Sequence, residues 1–289
     1  MYMSDFEKMK KVRELIKALQ NIYCLAMVSI LISITTINAQ NSYVEKEIWI
    51  NNGSRRIYGI LATPENTAAK YPLAIIAHGF NGNHRFARNY FKELCALGYG
   101  CYSFDFPCGS LKNRSDTNTM NMSVIDEKID ITAIVKYFKS MPDIDADSIV
   151  LIGESQGGLA AALAAADIPN DIAKLVLVYP AFCIPDNWLD HYRRESDIPD
   201  TTFVWGVPLG RRFFEEVREV DVDSTMMRYK REVLIVHGDK DSVVPLDYSR
   251  RALSRYPNAR LKIISGAGHG FKGDYLDEFC KYLRSFLQR

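Results

Sequence analysis

Ser155, Asp241 and His269 have the residue types and the order along the chain that nucleophilic acyl transfer needs. Ser155 stands at the centre of GESQG, residues 153–157, after the β-branched run SIVLI and before the alanine-rich GLAAALAAAD. Strand, tight turn and helix follow one another there. A serine at such a turn takes a strained backbone conformation that lifts its hydroxyl clear of the sheet, and a glycine two residues to either side lets strand and helix approach without a Cβ clash. The competing reading is a glycine-rich turn with an ordinary capping serine. A serine hydroxyl is a poor nucleophile near neutral pH, so it needs a base within hydrogen-bonding reach and a third group to hold that base in the right tautomer. EVLIVHG running into DKDSVVP puts Asp241 at a strand end, with Asp239 as its competitor; ARLKIISG running into AGHGF puts His269 on a loop with Gly266, Gly268 and Gly270. The other histidines have quieter contexts. His78 and His237 sit in strand-end HG pairs and read as structural, while His84 and His191 lie in loop or intervening sequence. Asp105, at another strand end, reads as a structural hydrogen-bonding group.

The elements that must position these groups follow from periodicity. VEKEIWI and RRIYGILATP alternate around Asn51, Asn52 and Gly53, the signature of an antiparallel hairpin. LAIIAHG, GYGCYSFDF, SIVLIG, KLVLVYP, EVLIVHG and ARLKIISG are short apolar runs of the kind buried in a parallel sheet, and several are separated by helical sequence such as residues 123–139. Alternating strands and helices predict an α/β domain with its site at the carboxyl ends of the strands. About fifty residues, 181–231, interrupt that rhythm where a crossover needs far fewer. They carry Trp188, Tyr192, Phe203, Trp205, Phe213 and Phe214, and are expected to form a small cap over the site.

The 289 residues, 47% hydrophobic and 25% charged, suit one large globular domain, and a net charge of +1 without a basic stripe excludes a nucleic-acid partner. The amino terminus differs from the rest. Lys8, Lys10, Lys11, Arg13 and Lys17 precede an apolar stretch from about Ile22 to Ile34, and Ala39 stands before the polar Gln40. This pattern predicts a secretory signal over residues 1–39, with Met9 as an alternative start, because the apolar run is shorter than the roughly 18 residues of a spanning helix. Cleavage would remove five basic and three acidic side chains and leave a nearly neutral secreted or periplasmic domain with no stable membrane association. Cys95, Cys101, Cys108, Cys183 and Cys280 would remain. Their odd number and wide spacing, without a CxxC pair, describe neither a disulfide framework nor a zinc site. One bridge among Cys95, Cys101 and Cys108 is the alternative to buried thiols.

With Ser155, Asp241 and His269 in that order, the chain resembles the α/β-hydrolases over nearly all of the domain from Tyr43 onward. HGFNGN, residues 78–83, is similar to the family's oxyanion loop, and HGDKDSVVP, residues 237–245, to its acid-bearing segment. Within the superfamily the HGF loop, FDF with a Gly-Ser turn, GESQGG and the cap most resemble bacterial feruloyl and cinnamoyl esterases. The resemblance implies an α/β-hydrolase fold, a mostly parallel sheet with helices on both faces and a cap insertion. It implies Ser155 as nucleophile, His269 as general base, Asp241 rather than Asp239 as orienting acid, and the N–H groups of Phe80 and Gln156 as oxyanion donors. Pro107 and Cys108 depart from the glycines common after FDF, beside the pocket. The expected reaction is hydrolysis of a small-molecule or carbohydrate-linked ester without metal or organic cofactor. Trp188, Phe203 and Trp205 are expected to stack on a planar acyl group, worth about 0.5 to 1.5 kcal/mol per pair. Two alternatives compete: a serine peptidase or aminopeptidase, with Glu215 and Glu216 as a paired-acid candidate, and an inactive binding module on the same fold. Exported protein is expected to begin near Gln40. N-terminal sequencing of the secreted or periplasmic material checks this, and a retained upstream segment would mean an anchor.

Overall fold

Residues 43–65 and 70–288 are described in the computed structural model; the expected signal, residues 1–39, lies outside the described residues. Alternation in β1 (Tyr43–Asn52) buries Ile48 and Ile50, and β1 pairs antiparallel with the more apolar β2 (Arg55–Pro64). Gly53, at φ 62°, takes the left-handed conformation in the turn between them. The chain continues through β3 (Tyr71–Ala77), β4 (Gly100–Phe104), β5 (Ile144–Glu154), β6 (Lys174–Val178), β7 (Thr201–Val204), β8 (Val207–Gly210), β9 (Val233–Gly238) and β10 (Ala259–Ile264). Eight strands form one sheet in the order β1-β2-β4-β3-β5-β6-β9-β10, parallel from β4 to β10. The β7–β8 hairpin stands apart as a second small sheet.

Helices α1 (Arg88–Ala96), α2 (Val124–Lys139), α3 (Gln156–Asp167), α4 (Ile184–His191), α5 (Arg211–Arg218), α6 (Val222–Arg228), α7 (Leu246–Arg255) and α8 (Asp274–Leu287) complete the domain. Phe91 and Leu94 of α1 join Phe279 and Leu283 of α8 in one core, and Ile131, Phe138, Leu159 and Ala252 of α2, α3 and α7 join the other. The sheet is thus covered on both faces, as near-continuous apolar strands require. Among the described residues no helix is long and apolar enough to cross a membrane.

The insertion at 181–231 contains α4, the β7–β8 hairpin, α5 and α6. Its aromatics join the core of the adjoining sheet face, with Trp188 edge-on to Phe214 at 4.6 Å between ring centroids and Tyr192 against both. It is tied to the start of α2: Arg212 forks onto Asp126 at 2.9 and 3.1 Å, Ser123 donates to Glu216, and Thr119 donates to the Pro208 carbonyl at 2.6 Å.

Packing is close where β5 turns into α3. A Cβ on Gly157 would stand 2.3 Å from the His78 carbonyl oxygen and 2.6 Å from that of Ala77; one on Gly153 would stand 2.4 Å from the Gly157 carbonyl oxygen. All of α3 from Gln156 to Ala166 is buried, and its alanines let it lie against the sheet. Gly157→Ala has no flexible neighbour to displace, only backbone. It is expected to destabilise the fold by about 3 kcal/mol, the upper part of the range for overpacked sites. A lower urea midpoint at unchanged slope is the measurement.

Candidate active site

Ser155 has φ 51° and ψ −121°, the left-handed backbone expected of a nucleophile held on a strained turn. Backbone bonds fix this geometry: Ser155 N–H donates to the Val178 carbonyl at 3.0 Å, and the Ser155 carbonyl accepts from Ala181 N–H at 2.9 Å and from the Gly158 and Leu159 N–H groups at 2.9 and 3.3 Å. His269 Nε2 lies 3.0 Å from Ser155 Oγ, and His269 Nδ1 lies 2.8 Å from Asp241 Oδ2. A carboxylate at Nδ1 requires the proton there, which leaves the Nε2 lone pair facing the serine hydroxyl. The three residues, distant in sequence, therefore form one continuous relay at the carboxyl ends of β5, β9 and β10.

Asp241 is held from the other side as well. Its Oδ1 accepts from the N–H groups of Val243 and Val244 at 2.8 and 2.9 Å, and its Oδ2 lies 3.2 Å from His237 Nε2. Burial pushes the carboxyl up, but hydrogen bonds from His237, His269, Val244 and Val243 outweigh it and hold Asp241 well below the usual carboxylate range. His237 Nε2 also faces the Val244 carbonyl at 3.0 Å, so this nitrogen carries the proton while Nδ1 accepts from the Ser249 hydroxyl at 2.7 Å. The HG context marked His237 only as structural. The signal for its contact was the four-residue spacing in HGDKD. Asp239 does different work: it accepts from Gly266 N–H at 2.7 Å and from the Ser265 hydroxyl at 3.2 Å, and so braces the loop that carries His269.

The loop after β3 runs against the serine. A Cβ on Gly79 would stand 3.0 Å from Ser155 Cβ. His78 accepts from Phe106 N–H at Nε2, 3.2 Å, and therefore donates from Nδ1 to the Gly79 carbonyl at 2.8 Å. That carbonyl shares a peptide plane with Phe80 N–H, so fixing one aims the other. Burial lowers the His78 pKa and keeps the ring neutral. Phe80 N–H and Gln156 N–H have no acceptor among the described residues. Gln156 is the first residue of α3, where the helix leaves its N–H groups unpaired and the dipole favours negative charge. Asp105 is wholly buried and accepts from His84 N–H, the His84 ring and Arg114 N–H at 2.6, 2.8 and 2.6 Å, which fastens the far end of the same loop.

Ser155, Phe80 and Gln156 open on a cavity of about 330 Å³ walled by Ile184, Leu209 and Phe213. Trp188 and Trp205 line it; Phe203 does not, being 71% exposed on β7. Trp205 is 75% exposed and meets Phe80 edge-on at 5.6 Å. Asn187 and His191, one turn apart on α4, are the polar groups on the cap side of the cavity. Glu215 and Glu216 are not among the lining residues and are occupied by Arg211 and Arg212 at 2.5 and 2.6 Å. Cys95, Cys101, Cys108, Cys183 and Cys280 are buried free thiols, so no bridge forms among Cys95, Cys101 and Cys108. Burial pushes the Cys108 and Cys183 thiols up to about 11.

Two buried carboxyls beside the site escaped sequence reasoning. Glu154 precedes the serine and accepts from the hydroxyls of Tyr90 and Tyr179; burial raises it to about 7 against those two bonds. The Tyr179 ring lies 4.6 Å from the His269 ring, so this cluster also supports the imidazole from behind. Glu127, on α2, accepts from the Gln156 side chain at 2.8 Å. Helix periodicity marks Glu127 as inward-facing, but nothing local names its partner.

A model of the alpha/beta hydrolase fold matches residues 72–218, just over half of the chain. A solved structure of Est1E from Butyrivibrio proteoclasticus with ferulic acid bound is 27% identical, with a TM-score of 0.78, over 83% of this chain and 98% of that one. Among curated proteins, "Putative carbamate hydrolase RutD" of Caulobacter sp. (strain K31) is 30% identical over 119 residues, 40% of this chain and 44% of that protein. Serine hydrolase BPHL of Homo sapiens is 27% identical over 159 residues, 48% of this chain and 55% of that protein. The chain thus spans less than two thirds of the length of these curated relatives. The β-strand order, the GESQG elbow and the family match lead to one conclusion: the chain belongs to the α/β-hydrolase family.

Proposed function

We propose that this hydrolase is a serine carboxylic-ester hydrolase that works through an acyl-enzyme, with hydroxycinnamoyl esters as its substrates. The observation that carries the reading is the Ser155–His269–Asp241 relay, at 3.0 and 2.8 Å, opening on an apolar cavity with aromatic walls. Ser155 Oγ attacks the ester carbonyl carbon as its proton passes to His269 Nε2, and the carbonyl oxygen becomes an oxyanion facing Phe80 and Gln156 N–H. Donors so placed lower a tetrahedral barrier by roughly 3 kcal/mol each. Collapse expels the alcohol, which takes the proton from His269. Water then attacks the acyl-enzyme through the same histidine, and release of the acid restores Ser155.

The cavity is within the size range of small-ligand sites. Phe80, Trp188 and Trp205 offer flat faces or edges to a planar acyl group, and similarity to a protein solved with ferulic acid supports the same choice. The ion-paired Glu215 and Glu216 take away the feature that favoured an aminopeptidase. We further propose export through residues 1–39, which would bring the enzyme to carbohydrate-linked esters outside the cell. A panel of hydroxycinnamate methyl esters, p-nitrophenyl acetate and butyrate, aryl carbamates and aminoacyl anilides tests the reading, with Ser155→Ala as the inactive control. Hydroxycinnamates are expected to give the highest kcat/KM. Trp188→Ala and Trp205→Ala are expected to lower kcat/KM for hydroxycinnamates by about tenfold and for acetate by less than about threefold. Equal losses would assign the rings to stability, and a carbamate or anilide preference would displace the ester reading.

Asp241→Asn separates the acid from its competitor. Val243 and Val244 N–H keep the amide oxygen at Oδ1, so the amide nitrogen must face His269 and His237, both of them donors. His269 is forced into the wrong tautomer. Turnover is expected to fall by up to about 10⁴, whereas Asp239→Asn, which loosens a loop, costs less than about tenfold. Steady-state kcat of the two variants decides between them.

A further inference from the structure

Among the described residues, Glu127 is the one carboxyl that touches the Gln156 side of the site without a role in the relay. It is 2% exposed, its Oε1 accepts from Gln156 Nε2 at 2.8 Å, and its Oε2 has no partner among the described residues. The Gln156 amide also meets Met122 Sδ at 3.6 Å, so the side chain of the residue that supplies an oxyanion donor is clamped between α2 and the turn before it. The charged groups facing Glu127 are few. On α2 they are Asp126 and Asp130, and from β2 comes Arg55, which is itself paired with both aspartates. From the cap, Arg212 reaches Asp126 at 2.9 Å and takes Glu216 at 2.6 Å. Arg55 and Arg212 are thus committed to other carboxylates. From the loop after β4 comes Gly109, where a Cβ would stand 3.6 Å from Glu127 Oε1.

Resting on the acyl-transfer reading above, we propose that Glu127 is a positioning residue of the oxyanion hole that works as the neutral acid. In this form it anchors Gln156, and on losing its proton it weakens the hole. A buried carboxylate with one bare oxygen and no free cation is costly, so the acid is the resting form near neutral pH. Burial pushes the group up to about 8, with the Gln156 bond opposing and Asp130 adding to the rise. Once ionised, it places negative charge one side chain behind the N–H that must receive the oxyanion, in an interior that screens poorly. The carboxylate and the transition state then compete for the same helix N-terminus.

The test is kcat for p-nitrophenyl butyrate and the rate of Ser155 labelling by a fluorophosphonate, each from about pH 6 to about pH 10. In the parent both are expected to fall about tenfold above the midpoint near 8, with KM little changed. Glu127→Gln preserves an acceptor for Gln156 without a proton to lose; it is expected to be about threefold slower at neutral pH and to show no alkaline fall. Gln156→Met keeps the backbone N–H but cuts the link, and is expected to lower kcat at all pH values. Thermal unfolding supplies a readout independent of activity. Folding raises this carboxyl from its ordinary value, so the unfolded chain releases its proton first, and the parent loses stability relative to Glu127→Gln as pH rises from about 5 to about 8. A flat alkaline profile in the parent overturns the proposal with no variant needed, as does an alkaline fall that persists in Glu127→Gln or an unfolding difference that does not change with pH. A parent that labels and turns over but fails these criteria leaves the acyl-transfer reading standing; one that neither labels nor turns over any ester overturns both.

Discussion

The site depends on one steric constraint, the contact of the Gly157 backbone with the carbonyls of Ala77 and His78. There β5, α3 and the loop after β3 come within a distance that admits no side chain. That contact brings the loop after β3 beside Ser155 and leaves Gln156, the first residue of α3, on the cavity. Everything else in the sheet serves to hold it. The parallel strands bring Asp241 and His269 to the same edge, and the buried Asp105 ties down the far side of the loop. A strained serine persists because its neighbours over-determine its position.

Three carboxyls around this point are ordered by how many donors each receives. Asp241 takes four, from two backbone N–H groups and two imidazoles, and stays ionised despite burial. Glu154 takes two phenols and lies at about 7, and Glu127 takes one amide and lies at about 8. Glu154 and Glu127 are wholly buried and Asp241 only partly, so lighter desolvation and a larger set of donors together keep Asp241 charged. Of the three, the carboxyl that faces His269 has the fullest set of partners.

Much of this was legible in the chain. Strand runs, the GESQG elbow and the order of serine, aspartate and histidine carried the fold class and the relay, because each rests on local patterns or on strand ends that topology must gather. The helix over residues 123–139 was readable from its periodicity, with Ser123 as its cap. Contacts between distant elements were not. His237 beside Asp241, Glu127 beneath Gln156 and the Tyr90–Glu154–Tyr179 cluster depend on which buried faces meet, and residue type alone does not encode that. Phe203 misled for a related reason: composition identified an aromatic cap, but the alternation of β7 put Val204 on the cavity and left Phe203 outside it, while Trp205 reaches the cavity from the turn that follows.

The two-residue turn joining β7 and β8 consists of Trp205 at φ 47° and Gly206 at φ 80°. Such turns favour asparagine at the first position, because both central residues must be left-handed, and a tryptophan there costs about 1 kcal/mol or more. A hairpin selected for its own stability would read Asn-Gly. This one accepts local strain to hold an indole over the cavity mouth, at a tip whose backbone is unburdened by the triad. Hairpin stability and the cavity wall are therefore opposed at a single position. Consensus-style stabilisation of the cap would erase its wall first, while the hairpin around that residue remains the part of the molecule best able to accept a different wall.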